Sequence, residues 1–518
     1  MLLIGDILRR RAGPADRNRT ALIFGDQKWT YGALNSAANR LANALIGCGV
    51  APGDRVAILG RNSVEWAITY FAAARAGAIL VPISYWFKGE ELRFVLRDAG
   101  AKVLLVEERF ADLIAAERAN APMLNTVIWI DTAIEGDRSY QTLVDQSSDA
   151  ETDIRIDERD GHIIMYTSGT TGFPKGVLQS HRAHMLHAGI WAHETGARRD
   201  DVYLCTYPLF HTGGTDCGIV PPLYAGAAVV LLPWPDVGTI LDAIETHRVT
   251  AFRAVPTVWK RLLARPDFDQ RDLSSLRRVI AGSDAMPPEL IHQIRQRIPQ
   301  AGYLQNYGLT ESGPVLTYLR ENAPPEAYGS NGSAHAQSEI QIVNADDEPV
   351  PIGTIGEVVA RSEHLMIGYW GLPEQTAEAM RGGWLHTGDQ GHFDADGNLW
   401  ITGRQKDLII TGSEHVYPAE IEAVLRLHAG VDEVAVIGVP DVEWGESVAA
   451  IVVPAGIGSD ALAAELTAFV RERMSAFKRP KHVVFVDDLP RTGPTRKIQK
   501  ATLREQYRHL GDLYSNLT

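Results

Sequence analysis

Tyr-Thr-Ser-Gly-Thr-Thr-Gly-Phe-Pro-Lys-Gly-Val, residues 166–177, is the stretch on which the reading of this chain turns. The apolar run at 162–165 predicts a short buried strand before it. From Val177 onward the pattern turns polar and predicts a helix. Gly169, Gly172 and Gly176 let the backbone fold tightly and bring its N–H groups close to a ligand. Thr167, Ser168, Thr170 and Thr171 add hydroxyl donors, and Lys175 adds a cation. Oriented N–H groups with a lysine stabilise dense negative charge, so this inventory suits a polyphosphate. A Walker A loop would place its Lys directly between the last Gly and a Ser or Thr. Here Phe173 and Pro174 intervene and Gly176 follows, which excludes that motif.

Around the loop, strand-like runs alternate with helical ones. The runs 55–59, 78–83, 103–106 and 127–130 read as strands, and 64–76 has the period of a packed helix. Runs at 227–232 and 249–254 continue the series. Such alternation predicts βαβ units and largely parallel sheets. After Ser338 the texture changes to short strands at 339–343, 356–360 and 398–402 between Gly, Asp and Pro turns, a smaller β-rich subdomain. The charged run Gly403-Arg404-Gln405-Lys406-Asp407 precedes a new α+β pattern: a helix at 418–427, strands at 433–439 and 447–453, and a helix at 461–474. A tail of about 110 residues can hold its own core. The expected organisation is α/β, with a large domain over 1–403, built of stacked αβ subdomains plus the β-rich one, and a small α+β domain over 404–518.

Composition narrows the partners. The 518 residues are 45% apolar and 22% charged, the make-up of an ordinary globular protein with more than one core. Fifty Lys and Arg against 64 Asp and Glu give a net charge of −14, which argues against nucleic acid, since that needs a basic face. Cys48, Cys205 and Cys217 have no paired spacing, so they make neither a disulfide framework nor a zinc knuckle and fit a reduced cytoplasm. The start, Met1 to Arg11, is too short in its apolar run for a signal peptide, and its charges follow that run. No stretch of 18 apolar residues occurs, so no transmembrane segment is expected. Peripheral membrane contact, which needs only a patch, and pairing into a homodimer stay open.

The loop at 166–177 resembles the phosphate loop of the adenylate-forming superfamily, which includes acyl-CoA synthetases, luciferases and peptide-synthetase adenylation domains. Other segments resemble the remaining motifs in that superfamily's order, over nearly the whole chain. In Asn306-Tyr307-Gly308-Leu309-Thr310-Glu311 the resemblance implies that Tyr307 stacks on adenine, Thr310 donates to the α-phosphate and Glu311 binds Mg²⁺. Ala281-Gly282-Ser283-Asp284-Ala285 takes the place of the small-residue wall of the adenine and acyl pockets. There Gly282 permits close ligand approach, while Asp284, an unusual residue at that place, either binds the adenine amino group or biases the acyl pocket toward polar acids. Trp384-Leu385-His386-Thr387-Gly388-Asp389 matches the ribose motif, with Asp389 accepting both ribose hydroxyls. Arg404 looks like a second ribose or phosphate contact, and Lys406 falls at the hinge. Pro208-Leu209-Phe210-His211-Thr212-Gly213-Gly214 resembles the gate of the acyl pocket, with His211 as the gate and two glycines that permit movement. The run 489–500 resembles the C-terminal catalytic-lysine motif, Lys497 bridging carboxylate and α-phosphate, with Arg496 where Gly is usual. The run 412–418 resembles the loop lining the pantetheine tunnel, with Ser413 and His415 in place of Gly and Asn.

The implied activity is an AMP-forming ligase that uses ATP, Mg²⁺ and coenzyme A on a hydrophobic or aromatic carboxylic acid. Attack of the carboxylate on the α-phosphate gives an acyl adenylate and pyrophosphate, and the site must hold two anions together with cations and neutral donors. The family then rotates a mobile C-terminal domain to admit the thiol. The alternative is CoA-free transfer of the acyl group to an amine. Gly213, Gly214, Asp284, Met286, Val315 and Leu316 bear on the shape of the acyl pocket. Three lesser clusters read more plainly. His181, His184 and His187, spaced by three without a Cys, Asp or Glu to complete a metal site, predict a solvated helix face. Lys478, Arg479 and Lys481 form a basic patch, either for CoA phosphates or as a solvated loop, and Lys500 reads as a surface charge.

Overall fold

Short runs of Val, Ile and Leu bounded by turn residues form the strands, as a computed structural model of the protein shows. It describes residues 2–87, 89–167, 174–234, 236–282, 286–404, 407–411, 414–441, 444–474, 478–491 and 498–510. By its contacts the chain divides into two units, 1–340 with 360–385, and 341–359 with 386–518.

The first unit holds two large mixed sheets flanked by helices. In an eight-stranded sheet, Gly161–Thr167, Ile79–Ile83, Arg55–Leu59, Val103–Val106, Thr126–Trp129 and Arg138–Ser139 lie side by side and parallel. Ile79–Ile83 and Val103–Val106 are buried along their whole length, as strands covered on both faces must be. The helix Val64–Arg75 joins two of these strands. The Ser63 hydroxyl caps it by accepting the Trp66 N–H at 3.1 Å, and every residue in it but Glu65 is buried. The nine-stranded sheet has a parallel centre: Gly302–Tyr307, Arg278–Ala281, Ala251–Ala254, Val202–Cys205, Ala228–Leu231 and Thr20–Phe24. Its edges are antiparallel, with Thr317–Leu319 and Ser333–Ala334 at one end and Gln27–Thr30 at the other.

One expectation fails next to the decisive loop. Beyond it the chain does not turn helical at Val177: Lys175–Ser180 is a strand, antiparallel to Gly161–Thr167, with Thr167 opposite Lys175. Its polar letters suggested a helix, but Gln179 and Ser180 have internal uses. Gln179 is buried and donates from Nε2 to the Thr310 carbonyl at 2.8 Å. The Ser180 hydroxyl accepts the Ala183 N–H at 3.1 Å and caps the helix His181–Glu194.

The second unit has the α+β pattern expected of the tail. A long antiparallel hairpin, Val431–Asp441 with Gly445–Pro454, pairs on one side with Ile409–Thr411 and His482–Phe485. The helices Pro418–Leu425, Asp460–Arg473 and Lys500–Gln506 belong to the same unit, and Ile421, Leu425, Leu466 and Val470 pack with Val434, Val436 and Val452 into its core. The unit also contains most of a four-stranded sheet in the order Ser338–Val343, Gly356–Ser362, Leu385–Phe393, Leu399–Arg404. Among the described residues no helix is long and apolar enough to cross a membrane.

Candidate active site

The hairpin enclosing the phosphate loop carries Lys175 at the start of its second strand, and the short strand Gly368–Tyr369 runs beside that strand with Tyr369 opposite Val177. The Gly176 carbonyl accepts the Trp370 N–H at 2.7 Å. This pairing brings the Lys175 ammonium to 5.0 Å from the centroid of the Tyr369 ring, a cation–π contact. The Tyr369 hydroxyl in turn donates to Glu311 Oε1 at 2.9 Å. Lys175 and Glu311, expected at the phosphates and the metal, therefore meet on one aromatic side chain that the motifs did not single out. Burial, and then the charge of Glu311, push the Tyr369 phenol well above its usual range, so it remains a hydrogen-bond donor.

Thr310 and Glu311 sit in a short helical turn after the strand Gly302–Tyr307, both half-buried. The turn is held from three sides. Its Thr310 carbonyl accepts from Gln179, its Glu311 carbonyl accepts the Met366 N–H at 2.8 Å, and Ser312 Oγ accepts the Leu309 N–H at 3.0 Å. Gly313 ends it in the left-handed region at φ +65°, where a Cβ would also collide with the His364 carbonyl oxygen. The half-buried Glu311 carboxylate is a hard oxygen donor that fits Mg²⁺, which takes one or two protein carboxylates and completes its shell with phosphate and water.

The wall at Gly282 is tighter than expected. A Cβ there would collide with Asn306 Oδ1 and lie 2.6 Å from Arg253 Nη2. Arg253 is itself buried, donates to Asn306 Oδ1 at 3.4 Å, and lies 4.7 Å over the Tyr207 ring. So glycine at 282 makes room first for these side chains. Gly282→Ala is expected to lower the melting temperature, since overpacking a filled site costs about 1–3 kcal/mol. A thermal scan with the melting temperature unchanged would contradict this steric reading.

Close packing also bears on the two gate glycines. A Cβ at Gly213 would lie 2.7 Å from Tyr207 Cδ1, and one at Gly214 would collide with the Pro208 carbonyl. His211 is half-buried and its Nδ1 accepts the Gly213 N–H at 3.0 Å. Beside it, Phe210 meets Tyr85 at 4.9 Å and Trp86 at 5.6 Å between ring centroids, and Trp86 meets the exposed Trp234 at 5.9 Å. Met286, Val315 and Leu316 are buried.

In the second unit the ribose-motif residues form their own constellation. Asp389 and Arg404 are opposite one another on antiparallel strands, with Arg404 Nε 3.1 Å from Asp389 Oδ1. The turn before Asp389 is fixed by Glu357, another residue the motifs did not reveal. Its carboxylate accepts the Gly388 N–H at 3.1 Å and His386 Nδ1–H at 2.9 Å, while Thr387 Oγ1 accepts the Asp389 N–H at 3.1 Å. Ser168, Gly169, Thr170, Thr171, Gly172, Ser283, Asp284, Lys406, Ser413, Arg496 and Lys497 lie outside the described residues.

Two lesser expectations are corrected. His181, His184 and His187 are not a solvated face: each is about 1% exposed. His184 Nδ1 lies 2.8 Å from His162 Nε2 and 3.4 Å from the Asp216 carboxylate, and His187 Nε2–H donates to the Asp216 carbonyl at 2.7 Å. Their helix is covered on nearly every side, so polar spacing did not mean exposure. Lys500 is not a free surface charge either, since its ammonium pairs with Glu422 at 2.7 Å. In the basic patch, Lys478 pairs with Glu420 and Lys481 pairs with Asp441 at 2.7 Å. Arg471, Arg479 and Lys481 line a groove of about 430 Å³.

The AMP-binding enzyme family model matches residues 8–370, and that of the AMP-binding enzyme C-terminal domain matches 420–496. The chain belongs to the AMP-binding enzyme family. An indoleacetate–CoA ligase of Aromatoleum aromaticum is 39% identical over 506 residues, 97% of this chain and 98% of that protein. A feruloyl-CoA synthase of an Amycolatopsis species is 37% identical over 501 residues, again 97% and 98%. Among solved structures, an anthranilate CoA ligase in complex with anthranoyl-AMP aligns with a TM-score of 0.92 at 34% identity, over 99% of this chain and 98% of that one.

Proposed function

We propose that the protein is an AMP-forming acyl-CoA ligase that converts a hydrophobic or aromatic carboxylic acid to its adenylate with ATP and passes the acyl group to coenzyme A. The observation that carries this reading is the meeting of Lys175, Tyr369 and Glu311. It gathers a cation for phosphate and a carboxylate for Mg²⁺ beside the loop of glycines and hydroxyls. In this reading Lys175 neutralises the phosphates, Thr310 donates to the α-phosphate and Glu311 holds Mg²⁺ with Tyr369 keeping its carboxylate oriented. Mg²⁺, when bound, supplies charge neutralisation on the phosphate oxygens. Asp389 holds the ribose. Lys497 comes from a mobile domain over 404–518, pivoting at Lys406, and stabilises the two anions as they react.

The aromatic residues Tyr85, Trp86 and Phe210 next to His211 support an apolar or aromatic acid. The names of the relatives point the same way, since theirs are indoleacetate, ferulate and anthranilate. They also favour coenzyme A over an amine as acceptor. The test is carboxylate-dependent pyrophosphate release over indoleacetate, ferulate, anthranilate and fatty acids, followed by mass spectrometry with coenzyme A and an amine both present. The expected product is an acyl-CoA from an aromatic acid. Silence across the whole acid panel, or amide formed in preference to thioester, would overturn the reading.

A further inference from the structure

Two buried histidines outside every motif lie behind the turn that carries Thr310 and Glu311. His364 and His335 are 0% and 1% exposed. His364 Nδ1 is 2.7 Å from the Ser312 carbonyl, so that nitrogen must carry the proton. His335 Nδ1 accepts the Gln337 N–H at 3.2 Å, so in the neutral ring its proton sits on Nε2. The two Nε2 atoms are 3.0 Å apart, which makes His335 the donor and His364 the acceptor. Ser338 Oγ lies 2.8 Å from His335 Nε2, and the Val315 carbonyl lies 3.3 Å from the same atom. The tautomers follow from these partners, and the one His335 Nε2–H is shared among His364 Nε2, Ser338 Oγ and the Val315 carbonyl.

The result is a bridge to the backbone on both sides of Gly313. One ring grips the Ser312 carbonyl directly after Glu311, and the other faces the Val315 carbonyl. The same segment supplies the Met366 N–H to the Glu311 carbonyl at 2.8 Å. Gly313 allows the His364 backbone to press against the turn, since any Cβ there would strike it.

We infer that His364 and His335 are positioning residues for nucleotide binding: the hydrogen-bonded pair fixes the turn so that Thr310 and Glu311 face the metal–nucleotide complex. The inference rests on the proposed role of Glu311 at Mg²⁺. A side-chain amide distinguishes the atoms involved, because Asn places an N–H near the position of Nδ1 whereas Gln places one near Nε2. His364→Asn retains a donor for the Ser312 carbonyl; His364→Gln and His364→Ala do not.

Binding of MgATP is measured by calorimetry without the acid, and the Michaelis constants for MgATP and acid are measured separately. His364→Ala and His364→Gln are expected to weaken MgATP about tenfold, the scale of one lost buried hydrogen bond, with the acid's constant unmoved. His364→Asn is expected to bind MgATP within about threefold of the parent, as a conservative rescue should. Should the Ala variant fail to fold, the Asn-to-Gln comparison decides alone. Equal losses in Asn and Gln, no loss in either, or parallel weakening of acid and nucleotide would overturn the inference. Glu311→Gln separates the two levels: unchanged MgATP binding in that variant sinks the reading of the site itself, whereas a loss there with none in the His364 variants sinks only the role of the histidine pair.

Discussion

Replacing Lys497 by Ala is expected to cut adenylate formation by roughly 100- to 1,000-fold, the scale seen when one preorganised charge-stabilising donor is removed. Thioester formation from a supplied acyl adenylate and coenzyme A is expected to continue at close to the parental rate. The asymmetry follows from charge. In the first half-reaction a carboxylate must approach a phosphate, two anions that repel, and a cation between them lowers the barrier most where charge builds on phosphorus. In the second, a thiol attacks the activated carbonyl, the acyl–phosphate C–O bond breaks and AMP departs as a good leaving group, so that cation has little left to stabilise. Pyrophosphate release measures the first step and acyl-CoA formation from synthetic adenylate measures the second. Equal loss of both would end the two-step assignment of this lysine.

Acidification is expected to unfold the protein at mildly acidic pH, through histidines rather than carboxylates. Burial pushes His181, His335 and His364 down to about 4 and His184 to about 3, and holds His162 and His187 well below the usual range. Between pH 6.5 and 4 the unfolded chain takes up these protons and the folded one does not. Stability is therefore full above 6.5 and falls as pH falls through that window. At pH 5 each such group costs about 2 kcal/mol, so three of them together approach a whole folding free energy of about 5–15 kcal/mol. Asp216 and Glu107 run the other way, since burial raises both carboxyls above the usual range and favours the folded state in acid, but they are two groups against these six histidines. Melting temperature followed from pH 7.5 to 5 is expected to drop steeply. A flat profile down to pH 5, with loss only near pH 4, would assign acid unfolding to carboxylates instead.

The residues that the sequence revealed are those whose meaning is complete within one short run. Lys175 stands with its glycines and hydroxyls, which mark it as a phosphate candidate, while Thr310, Glu311 and Asp389 were singled out by the resemblance of their short runs to family motifs. The residues it concealed act only through partners far along the chain. Tyr369 reaches Glu311 across 58 positions and His364 reaches Ser312 across 52, and nothing local to either marks the contact. Glu357 and Arg253 are hidden in strands for the same reason. The errors have a common cause as well: the strand Lys175–Ser180 and the helix His181–Glu194 carry polar letters that were taken to face water, while the fold gives most of them buried partners. The alternation of strands and helices was legible because burial of parallel strands imposes it on composition, whereas the antiparallel edges depend on distant pairing.

The narrow strip Gly368–Tyr369 closes the outer side of Lys175–Ser180. Translation delivers these two pieces far apart in time. At roughly 5–20 residues per second, the 189 positions from 180 to 369 take about 10–40 s to synthesise. For that interval a nascent chain on the ribosome exposes an unpaired sheet margin with its lysine lacking an aromatic partner, an invitation to pairing with a neighbouring polypeptide. A fragment ending before residue 369 carries that bare margin permanently, and recombinant truncations for this protein belong beyond it.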